Sequence, residues 1–345
     1  MLFQIIDMDL LKIQLDVAVK LSKYVRSMGT ESVIIAPCSI ISSLCSLSKI
    51  INNDKSKEIY KVLSLDRCHN IDSCIRKIVF DMNNDMICYN NTLIVDKQTS
   101  IDCQLQNTLK KYYSLQVEHE DTNNINLCSE LNFSASWNRP FTSAPEEQIR
   151  ERKGSVDVVS ILKDSKRRLH LLRRLSCLKS SVIRTSLANN RYILTVITPD
   201  DDDEKIFESL ENELSVDNLL GWIDSRKMKK TQHRFRFPEI TMTSSYDFAS
   251  LLKSVNIDLS PTIFSKLNPE ICLNTDSINQ VNTIEVTEKS INFNTKMKNE
   301  FSNNQSHSIN CSSCSEIAVG KPFIFLIQCR TTENCLYFGI IKDSF

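Results

Sequence analysis

The cysteines, histidines and acidic residues are the side chains that could carry chemistry, and their spacing assembles no complete site. The chain has 13 cysteines and 5 histidines. One cysteine pair is close in sequence, Cys311 and Cys314 in C-S-S-C, but a zinc site needs a second pair of ligands at similar spacing. The acidic run Asp200–Asp203 precedes an apolar helical pattern, where negative charge stabilises a helix N-terminus. Ligands adjacent in sequence cannot all face one ion, so we expect no metal and no other cofactor.

Sequence motifs of known enzyme classes are absent from the chain. It contains no H-E-x-x-H, no G-x-S-x-G, no P-loop and no kinase-type catalytic loop. Only 5 glycines occur in 345 residues. This argues against nucleotide-binding folds, because they need glycines where the backbone approaches phosphate. We therefore expect a protein that is not an enzyme.

A basic stretch in the middle of the chain allows two interpretations. It could bind a polyanion, or it could be the solvated face of a strand pair. It lacks the aromatic residues that stack on nucleic-acid bases, and the chain as a whole has 42 basic and 42 acidic residues. The strand pair is favoured, and we expect neither nucleic acid nor membrane as a partner. The stretch consists of Lys163, Lys166, Arg167, Arg168, His170, Arg173, Arg174 and Lys179.

The cysteines and the N-terminal residues favour a reducing compartment. The cysteines are odd in number and scattered from Cys38 to Cys335, which is typical of free thiols. Charged residues interrupt the apolar N-terminal run, so it does not resemble a secretory signal. No run of 18 apolar residues occurs that could span a membrane. These features predict a cytoplasmic protein, and we expect a monomer.

Hydrophobic periodicity predicts both helices and strands, and a length of 345 residues allows either one large domain or two. Apolar residues recur at spacings of three and four from Leu10 to Tyr24, which predicts an amphipathic helix. Leu131–Trp137 alternates apolar and polar residues, with the period of a half-buried strand. The apolar runs Phe323–Cys329 and Leu336–Ile341 flank a polar turn and predict a C-terminal β-hairpin.

Several separated segments together resemble the serpin family in their order and approximate spacing. Ala36-Pro37-Cys38-Ser39-Ile40 resembles the serpin motif S-P-x-S-I, and Phe133–Phe141 (F-S-A-S-W-N-R-P-F) resembles F-K-x-x-W-x-x-P-F. The Asn-rich composition is similar to that of the serpin-like proteins of poxviruses. The other segments that resemble serpin motifs are Thr198-Pro199-Asp200, Phe237-Pro238-Glu239-Ile240, Ser245-Tyr246-Asp247-Phe248, Ile284–Glu288, Lys321–Ile327 and Leu336–Gly339.

The resemblance implies an α+β fold, organised as a single domain over 1–345, and a mechanism. Serpins have three β-sheets, A, B and C, with surrounding helices, and they offer an exposed reactive loop to a protease as a substrate. When the protease cuts, the loop inserts into sheet A as a new strand, and the stored strain that is released distorts the attached protease. In this chain the reactive-loop region corresponds to 290–315, and the implied partner is a host protease or another host protein.

The chain departs from the serpin pattern in three places. Only about ten polar residues separate Asp121 from Leu131, so we expect deletion of the helix that serpins place across sheet A, with part of the strand after it. The hinge pattern E-E-G-T-E-A-A-A is altered, and bulky side chains there slow insertion between two strands. Beneath the sheet, Ala36 and Gln280 occupy the positions of a Ser and a His. The residues that match the hinge are Glu288, Lys289, Ser290, Ile291, Asn292 and Phe293.

The altered loop alternates between apolar and polar residues with a period of two. This pattern predicts that Ser290–Phe301 is a permanent strand, inside sheet A, with its apolar side towards the core. The alternative is a disordered loop rich in Asn and Lys that alternates by chance. The residues on the apolar side are Ile291, Phe293, Thr295, Met297 and Phe301, and Asn299 is the one exception on that side.

The bond that a protease would cut is expected in the window 304–312. Counting forward from Glu288 gives Asn304–Gln305, whereas counting back from Phe323 gives the neighbourhood of Cys311–Ser312. The window holds no Arg or Lys for a trypsin-like protease and no Asp for a caspase-like one. We therefore expect a host-modulating protein of the host cytoplasm, with weak or lost protease inhibition, that acts by protein binding. The alternative is an active serine or cysteine protease inhibitor that uses this window as bait.

Overall fold

The computed structural model of the protein contains eight α-helices and 17 strands in the part of the chain that it describes, which confirms the α+β class. The described residues are 2–29, 32–51, 53–66, 68, 70–82, 84–121, 126–141, 146–152, 155–163, 167–201, 204–233, 235–254, 256–257, 279–298, 317–318 and 322–342.

Five of the described helices lie between Leu2 and Tyr113, and three lie between Glu204 and Ser254. No described helix combines the length and the apolar character needed to cross a lipid bilayer. Their bounds are α1 Leu2–Ser27, α2 Pro37–Leu47, α3 Asn53–Val62, α4 Ile71–Asp81, α5 Cys103–Tyr113, α6 Glu204–Asn212, α7 Val216–Ile223 and α8 Phe248–Ser254.

The strands are concentrated in the middle and at the C-terminal end of the chain. Their bounds are β1 Val33–Ile35, β2 Ile87–Asp96, β3 Leu115–Glu120, β4 Asn126–Ser136, β5 Glu146–Arg152, β6 Ser155–Lys163, β7 Arg168–Leu175, β8 Ser180–Leu187, β9 Tyr192–Pro199, β10 Lys229–His233, β11 Phe235–Pro238, β12 Ile240–Asp247, β13 Asn279–Val286, β14 Ser290–Lys298, β15 Ile317–Ala318, β16 Phe323–Cys329 and β17 Cys335–Ile341.

The strands form three sheets, as the resemblance implies. Sheet A has six strands in the order β12-β13-β14-β4-β2-β3. Sheet B has seven, in the order β1-β17-β16-β9-β8-β7-β10, and sheet C has four, in the order β15-β11-β6-β5. The predicted C-terminal hairpin is β16 and β17, and the basic stretch lies partly on β7, which pairs with β8 and β10.

The C-terminal hairpin lies in the centre of the core. Every residue of β16 and of β17 is buried, as continuous apolar runs covered on both faces require. Helix α2 is also buried along its whole length and packs against β17 together with α1. The position of the hairpin therefore fixes the surface against which sheet A packs.

A buried polar network ties the helices to the start of β17. The Gln14 side-chain amide donates to Asn334 Oδ1 at 2.7 Å, and the Asn334 amide donates to Asp81 Oδ2 at 2.7 Å. The backbone N–H of Cys335 donates to Gln14 Oε1 at 2.7 Å. These bonds satisfy polar groups that would otherwise cost free energy in the interior, and they join α1, α4 and β17.

The connection between β3 and β4 consists of the five residues 121–125. Five residues are too few for a helix of several turns, in agreement with the predicted deletion of the crossing helix. The predicted loss of part of the following strand is wrong, because β4 begins at Asn126 and runs for 11 residues. The sequence misled because Asn126, Cys128 and Glu130 are polar residues of one strand face, alternating with the buried Leu127, Ser129 and Leu131.

Replacing Gly339 by Ala should lower the free energy of unfolding. A Cβ atom at this position of β17 would overlap the Phe325 ring and lie 2.8 Å from the Val33 carbonyl oxygen. Overpacking of this kind costs about 1–3 kcal/mol. Urea denaturation of Gly339→Ala measures the loss.

The matched control is Gly221→Ala in α7, where a Cβ atom would meet nothing within 4 Å. This variant should keep or raise stability, by up to about 1 kcal/mol, because Ala favours the helix over Gly. Equal effects of the two substitutions would contradict the packing described for β17.

Candidate functional site

The turn between β13 and β14 contains Glu288 and Lys289, the first two of the predicted hinge residues. Only three residues, 287–289, separate the two strands. The Thr287 N–H donates to the Ser290 carbonyl at 2.9 Å, and the Ser290 N–H donates to Thr287 Oγ1 at 3.2 Å. The chain therefore reverses direction in a closed turn and enters β14 directly.

The segment that follows β4 holds this turn in place. The Trp137 indole N–H donates to the Thr287 carbonyl at 2.9 Å. The Trp137 backbone N–H donates to the Lys289 carbonyl at 3.0 Å, and the Phe141 N–H donates to the Glu288 carbonyl at 2.9 Å. Trp137 and Phe141 are buried and pack edge to face at 5.1 Å. All three carbonyls of the turn 287–289 thus accept hydrogen bonds from a buried aromatic pair.

Strand β14 pairs with a neighbour on both sides. One antiparallel ladder joins it to β13, from Ile291 opposite Val286 to Lys298 opposite Asn279. A second joins it to β4, from Ser290 opposite Ser136. The predicted strand Ser290–Phe301 is therefore confirmed over Ser290–Lys298, inside sheet A and in an uncut chain. Residues 299–301 lie outside the described residues.

Alternate side chains of β14 enter the core. The Phe293 ring stacks on Tyr337 of β17 at a centroid distance of 4.4 Å. It also lies 5.5 Å from the Phe325 ring and 6.2 Å from the Phe133 ring. Strands β4, β16 and β17 thus build the space that this side chain fills. The core-facing residues, each 1–3% exposed, are Ile291, Phe293, Thr295 and Met297.

Polar side chains also lie beneath sheet A. The Thr295 hydroxyl donates to Asn282 Oδ1 at 2.8 Å, so the loop strand is bonded to β13 by a side chain as well as by its backbone. Gln280, one of the predicted departures, is buried opposite Met297, and its Oε1 atom has no hydrogen-bond partner among the described residues. Ala36, the other departure, precedes α2 and gives the helix no side-chain cap.

The opposite side of β14 faces solvent with amide side chains. The Asn292 amide donates to Glu285 Oε2 at 2.8 Å, and the Ser134 hydroxyl donates to Asn292 Oδ1 at 2.7 Å. The Asn294 amide donates to Asn132 Oδ1. These residues line an open depression of about 550 Å³ on the outer face of sheet A. The face that the missing helix would cover is therefore polar.

An ion pair extends this outer network along the strand. Lys296 Nζ lies 3.0 Å from Glu130 Oε1, and the Asn132 amide donates to the same oxygen at 3.2 Å. Partial burial acts to raise the pKa of the Glu130 carboxyl, but hydrogen bonds from Lys296 and Asn132 and the Lys296 charge outweigh it, so the pKa lies below its ordinary value.

The uncut chain is long enough to leave β14 and return to sheet C. Strand β11 ends at Pro238, two residues before Ile240. Because Ile240 pairs with Val286, β11 lies near the hinge end of sheet A. Strand β15 pairs with β11 and so lies near the hinge end of sheet A, whereas β14 ends nine residues away from the hinge. The connection from the end of β14 to β15 therefore has to cover about the length of β14, roughly 30 Å. The 18 residues 299–316 between β14 and β15 reach up to about 60 Å when extended. Insertion therefore requires no cleavage.

The predicted scissile residues, Asn304, Gln305, Cys311 and Ser312, lie outside the described residues. Elsewhere, no group of three or more His, Cys, Asp and Glu side chains in the described ranges could hold a metal ion. The anchoring of the hinge by Trp137 and Phe141 was not predicted. Its only sequence signal was the F-S-A-S-W-N-R-P-F motif, which does not reveal the carbonyls that these two residues bind.

Truncation of Phe293 should destabilise the protein strongly if β14 is part of the folded core. Phe293→Ala should lower the free energy of unfolding by about 3–5 kcal/mol, because it removes a buried ring and leaves a cavity. Urea denaturation provides the measurement. The matched control is Asn292→Ala, whose side chain is only half-buried on the outer face, with an expected loss below about 1.5 kcal/mol. Similar, small losses for both variants would place the loop outside the sheet.

The ion pair of Glu130 should make stability depend on pH in the acid range. A carboxyl whose pKa is lowered by folding contributes stability above its unfolded pKa of about 4.3 and loses it as the pH falls through the folded pKa. At pH 7, Glu130→Gln should therefore be less stable than the parent by less than about 1 kcal/mol. This difference should vanish in acid below the lowered pKa.

The Lys296→Met background provides the control for this prediction. With its partner removed, Glu130→Gln should have a smaller effect at pH 7, as a double-mutant cycle would measure. A difference between parent and Glu130→Gln that stays constant from neutral pH into acid would show that the carboxylate charge is not its cause.

Known proteins share both the sequence pattern and the fold. The family model described as Serpin (serine protease inhibitor) matches residues 120–343. "Serpin B5" of Xenopus laevis is 21% identical over 368 residues, covering 92% of each chain. Uncleaved ovalbumin has a similar fold, with a TM-score of 0.79 at 16% identity over 96% of this chain and 99% of that one. A loop-inserted cleaved ovalbumin mutant has a TM-score of 0.77 at 15% identity over 95% and 98%. With its three sheets and matching family model, the chain belongs to the serpin family.

Proposed function

We propose that this serpin acts by binding another protein and has weak or lost capacity to trap a protease. The observation that carries the proposal is β14, which lies between β13 and β4 in the uncut chain. Trapping depends on a loop that starts outside sheet A and inserts only after cleavage. Here the place of the new strand is occupied beforehand, so no strain remains to be released.

The hinge residues Glu288–Phe293 support the same proposal. In the family pattern this segment carries small side chains, whereas Ile291 and Phe293 here are 1% and 2% exposed in the core. Withdrawing Phe293 from the sheet would leave a cavity and expose a ring, at a cost of about 3–5 kcal/mol if judged from Phe→Ala substitutions. Such a hinge is poorly suited to moving into and out of sheet A, and well suited to staying there as a strand.

The partner that we propose is a host protein, which the serpin binds in the host cytoplasm. We further propose that the serpin is a monomer and is of the poxvirus type. The Asn-rich composition supports the viral assignment. The ten cysteines within the described ranges are all free, which suits a reducing compartment. The rival proposal, an active inhibitor with 304–312 as bait, draws its support from membership of a family of protease inhibitors.

Cleavage within 299–316 should leave the melting temperature nearly unchanged. The strand that cleavage would release is already paired on both sides, so no further pairing can form. Intact and nicked protein should melt within about 4 °C of each other, the shift that 1 kcal/mol produces in domains of 150–250 residues. Calorimetry on both forms, with the nick located by mass spectrometry, provides the measurement. A much larger rise would overturn the proposal.

A hinge variant and a protease panel complete this experiment. The double variant Ile291→Thr, Phe293→Ala restores small side chains, so its loop should leave the sheet more readily and its melting temperature should rise more after nicking. Incubation of the parent protein with serine and cysteine proteases should give cleavage products without an SDS-stable complex. A stable complex with any of them would decide for the rival.

A further inference from the structure

Strand β10 is the last strand of sheet B, and among the described residues only β7 pairs with it. Such an edge carries backbone N–H and C=O groups that point away from the sheet and can pair with another chain. Four of its five residues, Lys229, Lys230, Gln232 and His233, are exposed. Within the described ranges, no strand covers the outer side of β10.

Positive charge is concentrated at this edge. Residues 167–179 and 224–233 hold nine of the 42 Lys and Arg residues of the chain, but only one acid, Asp224. That acid already pairs with Arg226 at 2.9 Å and with Lys227 at 3.9 Å. The concentration arises only on folding, because the β7–β10 pairing joins the basic stretch to four cations that follow it by about 50 residues in the sequence.

The two lysines of β10 point to opposite faces of the sheet. Lys229 stands opposite Leu172 and Lys230 opposite Leu171, and successive residues of a strand alternate between faces. Neither lysine forms an ion pair within the part of the chain that the structure describes. A strand added to this edge would therefore meet an available cation on each face.

We propose that β10 docks an acidic extended segment of the protein partner, which adds to sheet B as an eighth strand. The edge lysines repel the same edge of a second copy, since like charges opposite each other across a strand pair are destabilising. An acidic strand gains from those charges, so the edge selects for acidic partners and against self-association.

A polypeptide fits this edge better than a nucleic acid does. Binding of single strands relies on aromatic side chains that stack with bases, whereas the exposed large apolar residues of the described chain are Met28, Phe80 and Leu169. Met28 and Phe80 lie outside sheet B, and Leu169 is not aromatic and lies on β7, one strand in from the edge. A row of backbone donors and acceptors flanked by lysines matches the recognition mode in which an extended peptide adds to a sheet.

The test titrates the full-length protein with a labelled peptide of alternating Glu and Val and follows binding by fluorescence anisotropy. The peptide should bind, and its affinity should fall as salt is added. The double variant Lys229→Glu, Lys230→Glu should weaken it about tenfold or more. Reversal of two exposed lysines of α5, Lys110→Glu and Lys111→Glu, makes the same change in net charge and should leave affinity within about twofold.

Backbone pairing is tested with the same peptide N-methylated at alternate residues. Methylation keeps the charge but removes donors, so binding should fall about tenfold or more if a strand is added. Equal binding of the methylated and the unmethylated peptide would overturn the inference. So would a failure of the unmethylated peptide to bind under conditions in which duplex DNA or heparin binds. The inference rests on the proposed protein partner. The titration is independent of protease trapping, so it and the melting experiment can fail separately.

Discussion

The stacking of Phe293 on Tyr337 joins the loop strand to the centre of the molecule. Tyr337 belongs to the fully buried β17, and its hydroxyl donates to the Leu131 carbonyl of β4 at 2.9 Å. Burial raises the pKa of that hydroxyl above its ordinary value, so it remains a donor at physiological pH. One aromatic contact thus connects β14, β4 and β17. If β14 left the sheet, the rings around Phe293 would border a void that close-packed interiors do not tolerate.

The outer face of sheet A makes the loss of the crossing helix compatible with a stable fold. A helix covering a sheet requires an apolar surface beneath it, whereas β14 presents Asn292, Asn294 and Lys296 outwards. These side chains bond to Glu285, Asn132 and Glu130 on the neighbouring strands, so the exposed ladder is satisfied without a cover. The short link 121–125 leaves the outer face of sheet A without a covering helix, and the polar residues on the outer side of β14 make that exposure tolerable.

The alternation of 290–298 was sufficient to predict a strand and its buried side, because a period of two specifies faces directly. It could not specify the partners of that strand, since pairing with β13 and β4 depends on residues that are distant in sequence. The same limit concealed the anchoring of the hinge by Trp137 and the approach of β10 to β7. The start of β4 was misplaced for a local reason, because Asn126, Cys128 and Glu130 resemble a polar turn when the buried residues between them are not known.

A loop that is buried as a strand changes the requirements on the rest of the reactive region. Residues up to Lys298 are paired in the sheet, so they cannot be extended towards a protease as a substrate-like loop. Under the proposed function, the window 304–312 needs no side chain that fits a specificity pocket, and it holds no Arg, Lys or Asp. Recognition has to use surfaces that remain exposed when the loop is inserted. The outer edge of β10 meets this condition, because it lies in sheet B and is exposed while β14 stays in sheet A.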